Sequence, residues 1–502
     1  MICFLKQLKV QSMKNTYDLI IIGAGPAGTP TAIEYAKLNP DKNIALIDSV
    51  GELGGECLFQ GCIPSKIMEA SAKHIKELKS LEEFGVNLKD SHYKLIWNKI
   101  KQRKDEILSK RTLAAKEMVL KVKNIELIKA FASFEDESHI KITYEDKSHK
   151  ILKFQKALIA TGSKTYIPTY KGNATEKIIT NVNFFKDMEL PKDLSIIGSG
   201  AIAIEFTQIL SILGVKINLF IRGEKILKNI DDEASKYILR ILQKDKNINI
   251  LSNSNILEIN QEDDLLQIKY SQNDEIKTIN THKILSAAGR VTNTNNLNLE
   301  KAKIEISKKG IITTSALQTT NKNVFANGDV VENFPKFAHT AQYTAHIVAQ
   351  NLFLEHNFFK PDFSKNSWVL FSMPNFTQAG ITQEQAKKQH TEVIVDKLEF
   401  NTEAKSQIEN EDYGYMKFIV EKNTKKIIGI TILHEEAHTI AGEAALIVAQ
   451  RLTLKELIDT IHPHPTISES FVMLAKQMMS NIMLKKLQNP LMQTLLKIER
   501  LL

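Results

Sequence analysis

The sequence predicts an α/β protein with two doubly wound units, followed by an α+β domain at its C-terminal end. Three observations in the 502 residues carry that expectation. A short apolar, β-branched run at 17–22 ends in GAGPAG and gives way to a helical pattern at 29–38 and a second strand at 44–47. The same order of strand, turn, helix and strand returns at 194–197, GSGAIA, 202–213 and 217–221. After Pro361 the pattern shifts to strands and then helices, which marks off a third domain of about 120 residues.

The remaining segments fit around these units. Residues 66–120 are charged and helical in period, and 125–160 alternate like strands and end in ALIATGS. A β-rich patch covers 248–290, NVFANGDV reads as strand and tight turn, and 338–355 is helical. The tail from Lys476 is rich in Met and Leu and is broken by Pro490. Leu491, Leu495, Ile498 and Leu502 fall on one helical face, which can pack on its own protein, on a second subunit, or against membrane lipid.

Composition narrows the function classes. Lys and Arg total 66 against 58 acids, a net +8, but no basic run is interleaved with aromatics, so nucleic acid is not an expected partner. No apolar run approaches the roughly 20 residues that span a bilayer, and the opening segment has too short an apolar core for a signal peptide. A cytoplasmic location is the expectation. Residues 1–12 read as an alternative-start extension before Met13 or as a frayed terminus. Only Cys3, Cys57 and Cys62 occur, so a structural disulfide framework is implausible, and two cysteines five apart point to chemistry.

In GAGPAG, Gly23, Gly25 and Gly28 allow a tight turn, a close approach to a pyrophosphate and close packing of the following helix. Asp48 ends the next strand, where an acid binds ribose hydroxyls. Flanking strands and that acid make this a Rossmann-like dinucleotide site rather than a plain turn. In the second copy Gly198 and Gly200 are followed by Ala203 in the third place, and Arg222 stands at the second strand end instead of an acid. Arg pairs bidentately with a 2′-phosphate that a carboxylate would repel, and Lys228 adds a second charge, so NAD(P) binding leans toward NADPH. The alternative is that both are ordinary solvated loop charges.

GGECLFQGCIPSK at 54–66 carries the sharpest signal. In an ideal helix the Cα atoms of Cys57 and Cys62 would lie roughly 8 to 9 Å apart, too far for a disulfide, so a loop or distorted first turn must hold Cys57. Gly61 permits that distortion. A cysteine at a helix start has its thiolate stabilised by the helix dipole and a nearby Lys, which suits an electron carrier. IHPHPTISE supplies His462, His464 and Glu469. A His held by a carboxylate can take a proton from a thiol near neutral pH, and His464 with Glu469 is the expected pair. The His-x-His also reads as a metal ligand pair or a loop, but without a nearby Cys or third His no metal is expected.

With ATGS at 160–163, AAGR at 287–290 and NGD at 327–329, these motifs resemble the class I pyridine nucleotide-disulfide oxidoreductases from residue 17 to about 480. The resemblance implies an FAD-binding domain in two parts (13–163 and 289–358), an NAD(P)-binding domain (164–288), a dimerisation domain (359–480) and an amphipathic helical tail (481–502). It implies a homodimer in which the His of one subunit completes the active site of the other. Cys57 would exchange with substrate and Cys62 would face the flavin as its charge-transfer thiolate. Lys66 matches the lysine near the flavin, Glu205 its acidic partner, Asp329 the aspartate on the ribityl chain or phosphate, and Asp48 the acid on the FAD ribose. Thr161, Gly162 and Gly289 belong to the cofactor-binding motifs ATGS and AAGR.

GCIPSK and HPHPTISE are most similar to dihydrolipoamide dehydrogenase, which implies dihydrolipoamide as substrate and a lipoyl-bearing multienzyme complex as candidate partner. The nucleotide site instead resembles that of glutathione reductase, implying an NADPH-dependent reductase of another disulfide or electrophile. Mercuric reductase has a similar cysteine motif but characteristically a C-terminal cysteine pair, and no cysteine follows Cys62 here. A third class, a membrane-associated FAD-binding subunit without disulfide turnover, rests on the tail alone. Two lesser departures from the family are Glu56, where Thr or Asp is common, and Asn327, where an apolar residue is common.

Overall fold

The computed structural model describes residues 13–87, 93–354, 356 and 358–488. They form two compact units. The first holds the described residues up to Pro168 together with Ile178–Leu190 and Ala288–Pro361, and the second holds Thr169–Lys177, Pro191–Ala287 and the residues from Asp362 onward.

In the first unit, strand β1 (Thr16–Ile22) has Leu19, Ile20 and Ile21 fully buried. A β-branched run covered on both faces belongs at the centre of a parallel sheet. β1 is indeed central, pairing in parallel with β2 (Ile44–Asp48) and with β6 (His149–Ile159), while β2 pairs in parallel with β3 (Ile125–Lys129). β4 (Phe131–Phe134) and β5 (His139–Thr143) extend the sheet antiparallel, in the order β3-β2-β1-β6-β5-β4. β18 (Val324–Ala326) pairs with the last residues of β6, so the NGD turn that follows emerges beside the end of that strand.

Helix α1 (Gly28–Leu38) packs on α8 (Ala338–Leu354). The short helix α2 (Gly55–Phe59) is followed by α3 (Cys62–Ser80), which packs on α4 (Trp97–Leu120). α4 buries Ile100, Lys104, Leu108 and Thr112, a four-residue spacing that makes one helical face. That face meets α5 (Asn181–Asp187), which opens with a Thr180–Asn183 capping box. Lys104 Nζ donates to Phe185 O at 3.0 Å, Lys101 Nζ to Asp187 O at 3.0 Å and Trp97 Nε1 to Met188 O at 2.6 Å. These bonds satisfy carbonyls at the end of α5 that a helix cannot satisfy internally. β7 (Ser163–Thr165) pairs antiparallel with β15 (Arg290–Thr292), and β16 (Ile306–Ser307) with β17 (Gly310–Ile311).

The second unit repeats the strand–helix–strand plan. β8 (Asp193–Ile197), α6 (Ala201–Ile212) and β9 (Lys216–Phe220) lead through α7 (Asp232–Lys244) to β10 (Ile248–Leu251), and with β14 (Lys283–Ser286) the strands form a parallel sheet in the order β10-β9-β8-β14. An antiparallel sheet of β11 (Ser254–Glu262), β12 (Leu265–Gln272) and β13 (Glu275–Thr281) is inserted before β14. The C-terminal domain is a five-stranded antiparallel sheet: β19 (Ser367–Leu370), β20 (Asn375–Gly380), β23 (Ile427–His434), β22 (Tyr415–Glu421) and β21 (Val393–Glu399), in that spatial order. Two short helices, α9 (Gln383–Lys388) and α10 (Ala404–Ile408), link its strands on either side of β21. Phe418, Ile430 and Ile432 from the sheet share a core with Ala444 and Ile447 of α11 (Ala441–Gln450), Leu457 of α12 (Leu454–Ile458) and Phe471 of α13 (Glu469–Leu487).

α7 is capped by Asp231, whose carboxylate accepts N–H bonds from Glu233 and Ala234. The same carboxylate takes the Tyr415 hydroxyl and Lys417 Nζ, the latter at 2.8 Å. Burial alone would raise the Asp231 carboxyl, but Lys417 and Tyr415 hold it below the usual carboxylate range.

α13 runs without a break through 481–487. Pro490 and the apolar face from Leu491 to Leu502 lie outside the described residues, as do Cys3 and the rest of 1–12. Among the described residues no helix is long and apolar enough to cross a membrane.

Candidate active site

The first glycine loop is closed by backbone contacts. Gly23 has φ 103°, and a Cβ there would lie 2.4 Å from Ala160 O. A Cβ on Gly28 would lie 1.9 Å from Gly23 O. Gly25 differs, because a Cβ would meet only Gly55 Cα, at 3.9 Å. The loop therefore leaves space beside the uncapped N-terminus of α1, which is the room and the partial charge that a pyrophosphate requires. Asp48 lies under this loop, accepting from Ala24 N at 3.1 Å through Oδ2 and from Val50 N and Gly51 N at 2.9 and 3.0 Å through Oδ1.

The cysteine segment leans on that loop. Gly54 N donates to Ala24 O at 2.9 Å, and Gly54 and Gly55 take left-handed φ of 114° and 58°. Cys57 rides on α2 and Cys62 opens α3, with Gln60 and Gly61 breaking the helix between them. The distortion expected from the spacing is therefore a two-residue break. Gly61 serves it through close approach, since a Cβ there would be 3.2 Å from Glu56 O and 3.6 Å from Cys57 Cα. Cys57 is half-buried and Cys62 exposed. The Cys57 thiol is pushed up by its hydrogen bond to Cys62 and by burial, with Arg111 pulling weakly the other way. Cys62 stands at the start of α3, where the helix dipole favours a thiolate. Lys66 follows one turn along α3.

A polar network underlies α2. Arg290 Nη1 donates to Glu56 Oε1 at 2.9 Å and Nη2 to Glu56 Oε2. Arg290 Nε donates to Ser163 Oγ at 2.7 Å, and Ser163 Oγ donates to Asp329 Oδ2 at 2.6 Å. Asn181 Nδ2 donates to Glu56 Oε1 at 3.0 Å and to Gln60 O at 2.6 Å, spanning the Cys57 turn from its start to its end. Sequence reasoning met Arg290 and Ser163 only as the last residues of AAGR and ATGS, without a role, and missed Asn181. The available signal was Glu56 itself, a charge inside a glycine-rich loop that calls for a counter-charge. Thr161 Oγ1 donates to Asn293 O at 2.7 Å, and Gly162 and Gly289 have positive φ of 69° and 137° with nothing within 4 Å of an added Cβ. The buried Asn327 accepts the Thr344 hydroxyl at 2.5 Å and donates to Ala341 O at 3.2 Å, which accounts for a polar residue at that place.

The second unit carries the remaining residues. Gly198 has φ 141°, Gly200 is the N-cap of α6 with open space where a Cβ would stand, and Ala203 is fully buried. Glu205 on α6 accepts Phe371 N at 2.9 Å. In the loop after β9, Lys225 is paired with Asp232, whereas Arg222 and Lys228 are exposed and neither has an ion-pair partner among the described residues. Lys228 Nζ sits 3.9 Å from where a Cβ of Gly223 would be, so its charge folds back toward Arg222. His464 Nδ1 lies 2.9 and 3.1 Å from the two Glu469 oxygens, and its ring is 72% exposed, leaving Nε2 open to a substrate. His462 is different: its ring is buried and its Nε2 is bound to Glu443 at 2.9 Å.

The family model described as pyridine nucleotide-disulphide oxidoreductase matches residues 17–345, and the model of that family's dimerisation domain matches 366–475. The chain belongs to this family. Dihydrolipoyl dehydrogenase of Buchnera aphidicola (strain Bp) is 32% identical over 467 residues, covering 91% of this chain and 95% of the relative. Mercuric reductase of Staphylococcus aureus is 31% identical over 461 residues, covering 91% of this chain and 82% of the relative. A solved Cu(II) complex of the HOCl-induced flavoprotein disulfide reductase RclA from Escherichia coli matches in fold, with TM-score 0.80, 24% identity and coverage of 92% and 100%. The protein is thus an FAD-dependent oxidoreductase of the disulfide family that works with a nicotinamide nucleotide. The expected α/β fold class holds, and the chain carries the family's dimerisation domain.

Proposed function

We propose that this oxidoreductase turns over dihydrolipoamide as a homodimer, with Cys57 exchanging with substrate and Cys62 on the cofactor side. The observation that carries the reading is the cysteine pair itself, Cys57 on α2 and Cys62 opening α3 across a two-residue break, held against the glycine loop. The relatives named dihydrolipoyl dehydrogenase supply the substrate class.

Gly23, Gly25 and Gly28, with the α1 N-terminus, would hold the FAD pyrophosphate; Asp48, Lys66, Thr161, Gly162, Gly289 and Asp329 would line the rest of that cofactor's site. Bound FAD supplies the two-electron carrier between the nicotinamide and the sulfur pair. Starting from the Cys57–Cys62 disulfide, the partner subunit's His464 takes a proton from the first substrate thiol through Nε2. The resulting thiolate attacks Cys57 Sγ, and Cys62 leaves as a thiolate. The second substrate thiol, as its thiolate, then attacks the substrate sulfur of the mixed disulfide. Cys57 departs and takes the proton that this second thiol gives up, so that one substrate proton rests on the Cys57 thiol and the other on His464. The substrate has lost two electrons and two protons, and the sulfur pair has gained the electrons. Glu469 fixes the His464 ring by holding Nδ1.

The test is reduction of NAD⁺ and NADP⁺ by dihydrolipoamide with purified enzyme. Turnover is expected, with C57S and C62S each lowering kcat by roughly 10³-fold or more and H464Q by roughly 10²-fold. Absence of turnover with dihydrolipoamide, together with NADPH-driven reduction of glutathione disulfide, would overturn the substrate assignment. That outcome is the second reading, and Arg222 and Lys228, exposed and without an ion-pair partner among the described residues, favour it because they suit a 2′-phosphate. Under the first reading the further partner is a lipoyl-bearing multienzyme complex in the cytoplasm.

A further inference from the structure

Glu56 is the residue immediately before the substrate-side cysteine. Its carboxylate is held by both terminal nitrogens of Arg290 and by Asn181. Arg290 is also tied to Ser163 through Nε and Nη2, each at 2.7 Å, and its Nε lies 3.7 Å from Asp329 Oδ2. Glu56, Arg290 and Asp329 are each only about a fifth exposed, at 22%, 21% and 21%, so their charges act through a poorly screened medium.

Arg290 therefore has more than one anion to serve. Burial disfavours its cation, whereas Glu56 first, then Asp329 and the Cys62 thiolate, favour it. A guanidinium saturated by a bidentate carboxylate offers less field to a third anion than one left open. The charged groups around the sulfur pair are Glu56 on α2, Lys66 on α3, Arg111 on α4, Arg290 on β15 and Asp329 after β18. Of these, Glu56 adjoins Cys57 in the chain, and its bidentate pair with Arg290 ties that cation to the cysteine turn.

We infer that Glu56 is a positioning residue for the redox pair: by holding Arg290 it decides how much of that cation's field reaches Cys62, and so how readily the pair ionises. Asn181 fixes the geometry, because one carboxamide bridges the Glu56 carboxylate and Gln60 O and is itself held through Oδ1 by the Thr165 hydroxyl at 2.5 Å. The inference rests on the reading of Cys57 and Cys62 as the redox pair.

A purely structural clamp and an electrostatic one give different signs. Glu56→Gln releases the field of Arg290 onto Cys62, while Arg290→Gln leaves the Glu56 anion facing the sulfurs. The test is the pH dependence of iodoacetamide alkylation of Cys57 and Cys62 in the dithiol-reduced, full-length holoenzyme, read by peptide mass spectrometry. E56Q is expected to lower the alkylation midpoint, giving about threefold more labelling at a pH below the wild-type midpoint, and R290Q to reduce labelling there by about threefold. The double variant E56Q/R290Q returns near wild type. E56D and R290K keep both charges and stay near wild type, which also guards against a folding artefact. Shifts of the same sign in E56Q and R290Q, or no shift in either, would overturn the inference. Turnover that survives C57S would instead sink the redox-pair reading, and the alkylation midpoints would still report on Glu56.

Discussion

The two glycine loops share a plan and differ in how they are closed. In the first, backbone fills the space that any side chain at Gly23 or Gly28 would need, and Asp48 is committed to three N–H groups of its own surroundings. In the second, a side chain at Gly200 would meet nothing, Ala203 already stands in the third place, and the charges at the strand end face solvent. The first loop thus takes its shape from packing and suits a cofactor that stays. The second is left open by packing, with exposed charges at its strand end, an arrangement that would suit a nucleotide that comes and goes.

The contrast can be broken most severely at Gly28. Gly28→Val puts a branched side chain where even a Cβ would be 1.9 Å from Gly23 O, so the expected product is a chain with little or no bound flavin, read from the ratio of visible to ultraviolet absorbance. Next is Lys417→Met in the second unit, where the buried carboxylate of Asp231 would lose its cation. A loss of about 3 kcal/mol is expected in denaturant unfolding of that unit. Arg222→Glu sharpens the comparison, with NADPH affinity falling by roughly 30-fold and NADH affinity changing little, measured as the ratio of the two kcat/KM values. A smaller effect is acid sensitivity at the start of α7 in the second unit. Because the folded state holds the Asp231 carboxyl low, its contribution is fully present above the ordinary carboxylate pKa near 4 and fades as pH falls through the lower folded value. Hydrogen exchange as a function of pH would show weakening at the α7 start that Lys417→Met abolishes. Gly200→Ala should do least, leaving the unfolding midpoint of the second unit within about 0.5 kcal/mol of wild type, since the added methyl meets no atom within 4 Å.

Local pattern made the scaffold legible. The runs at 17–22 and 194–197 become central parallel strands because period and β-branching are local properties, and the Cys57–Cys62 spacing correctly demanded a broken helix start. The polar networks were not legible. Glu56 meets Arg290 across 234 positions and Asn181 across 125, and Asp231 meets Lys417 across 186. Nothing in a window of sequence pairs a charge with a counter-charge so far away. Asp48 and Glu469 illustrate the middle ground, since each acid was placed by motif. Yet the backbone N–H groups that hold them, those of Ala24, Val50 and Gly51 for Asp48 and that of Thr466 for Glu469, appear only in three dimensions.

Asn181 opens a helix whose other end is gripped by Trp97, Lys101 and Lys104 of α4, so the turn bearing Cys57 is mechanically continuous with a helix of 24 residues. A load applied to α4 would pass through α5 and Asn181 to Glu56 and Gln60, the residues that flank the Cys57 turn. In single-molecule pulling, tension along α4 is therefore expected to change the alkylation rate of Cys57.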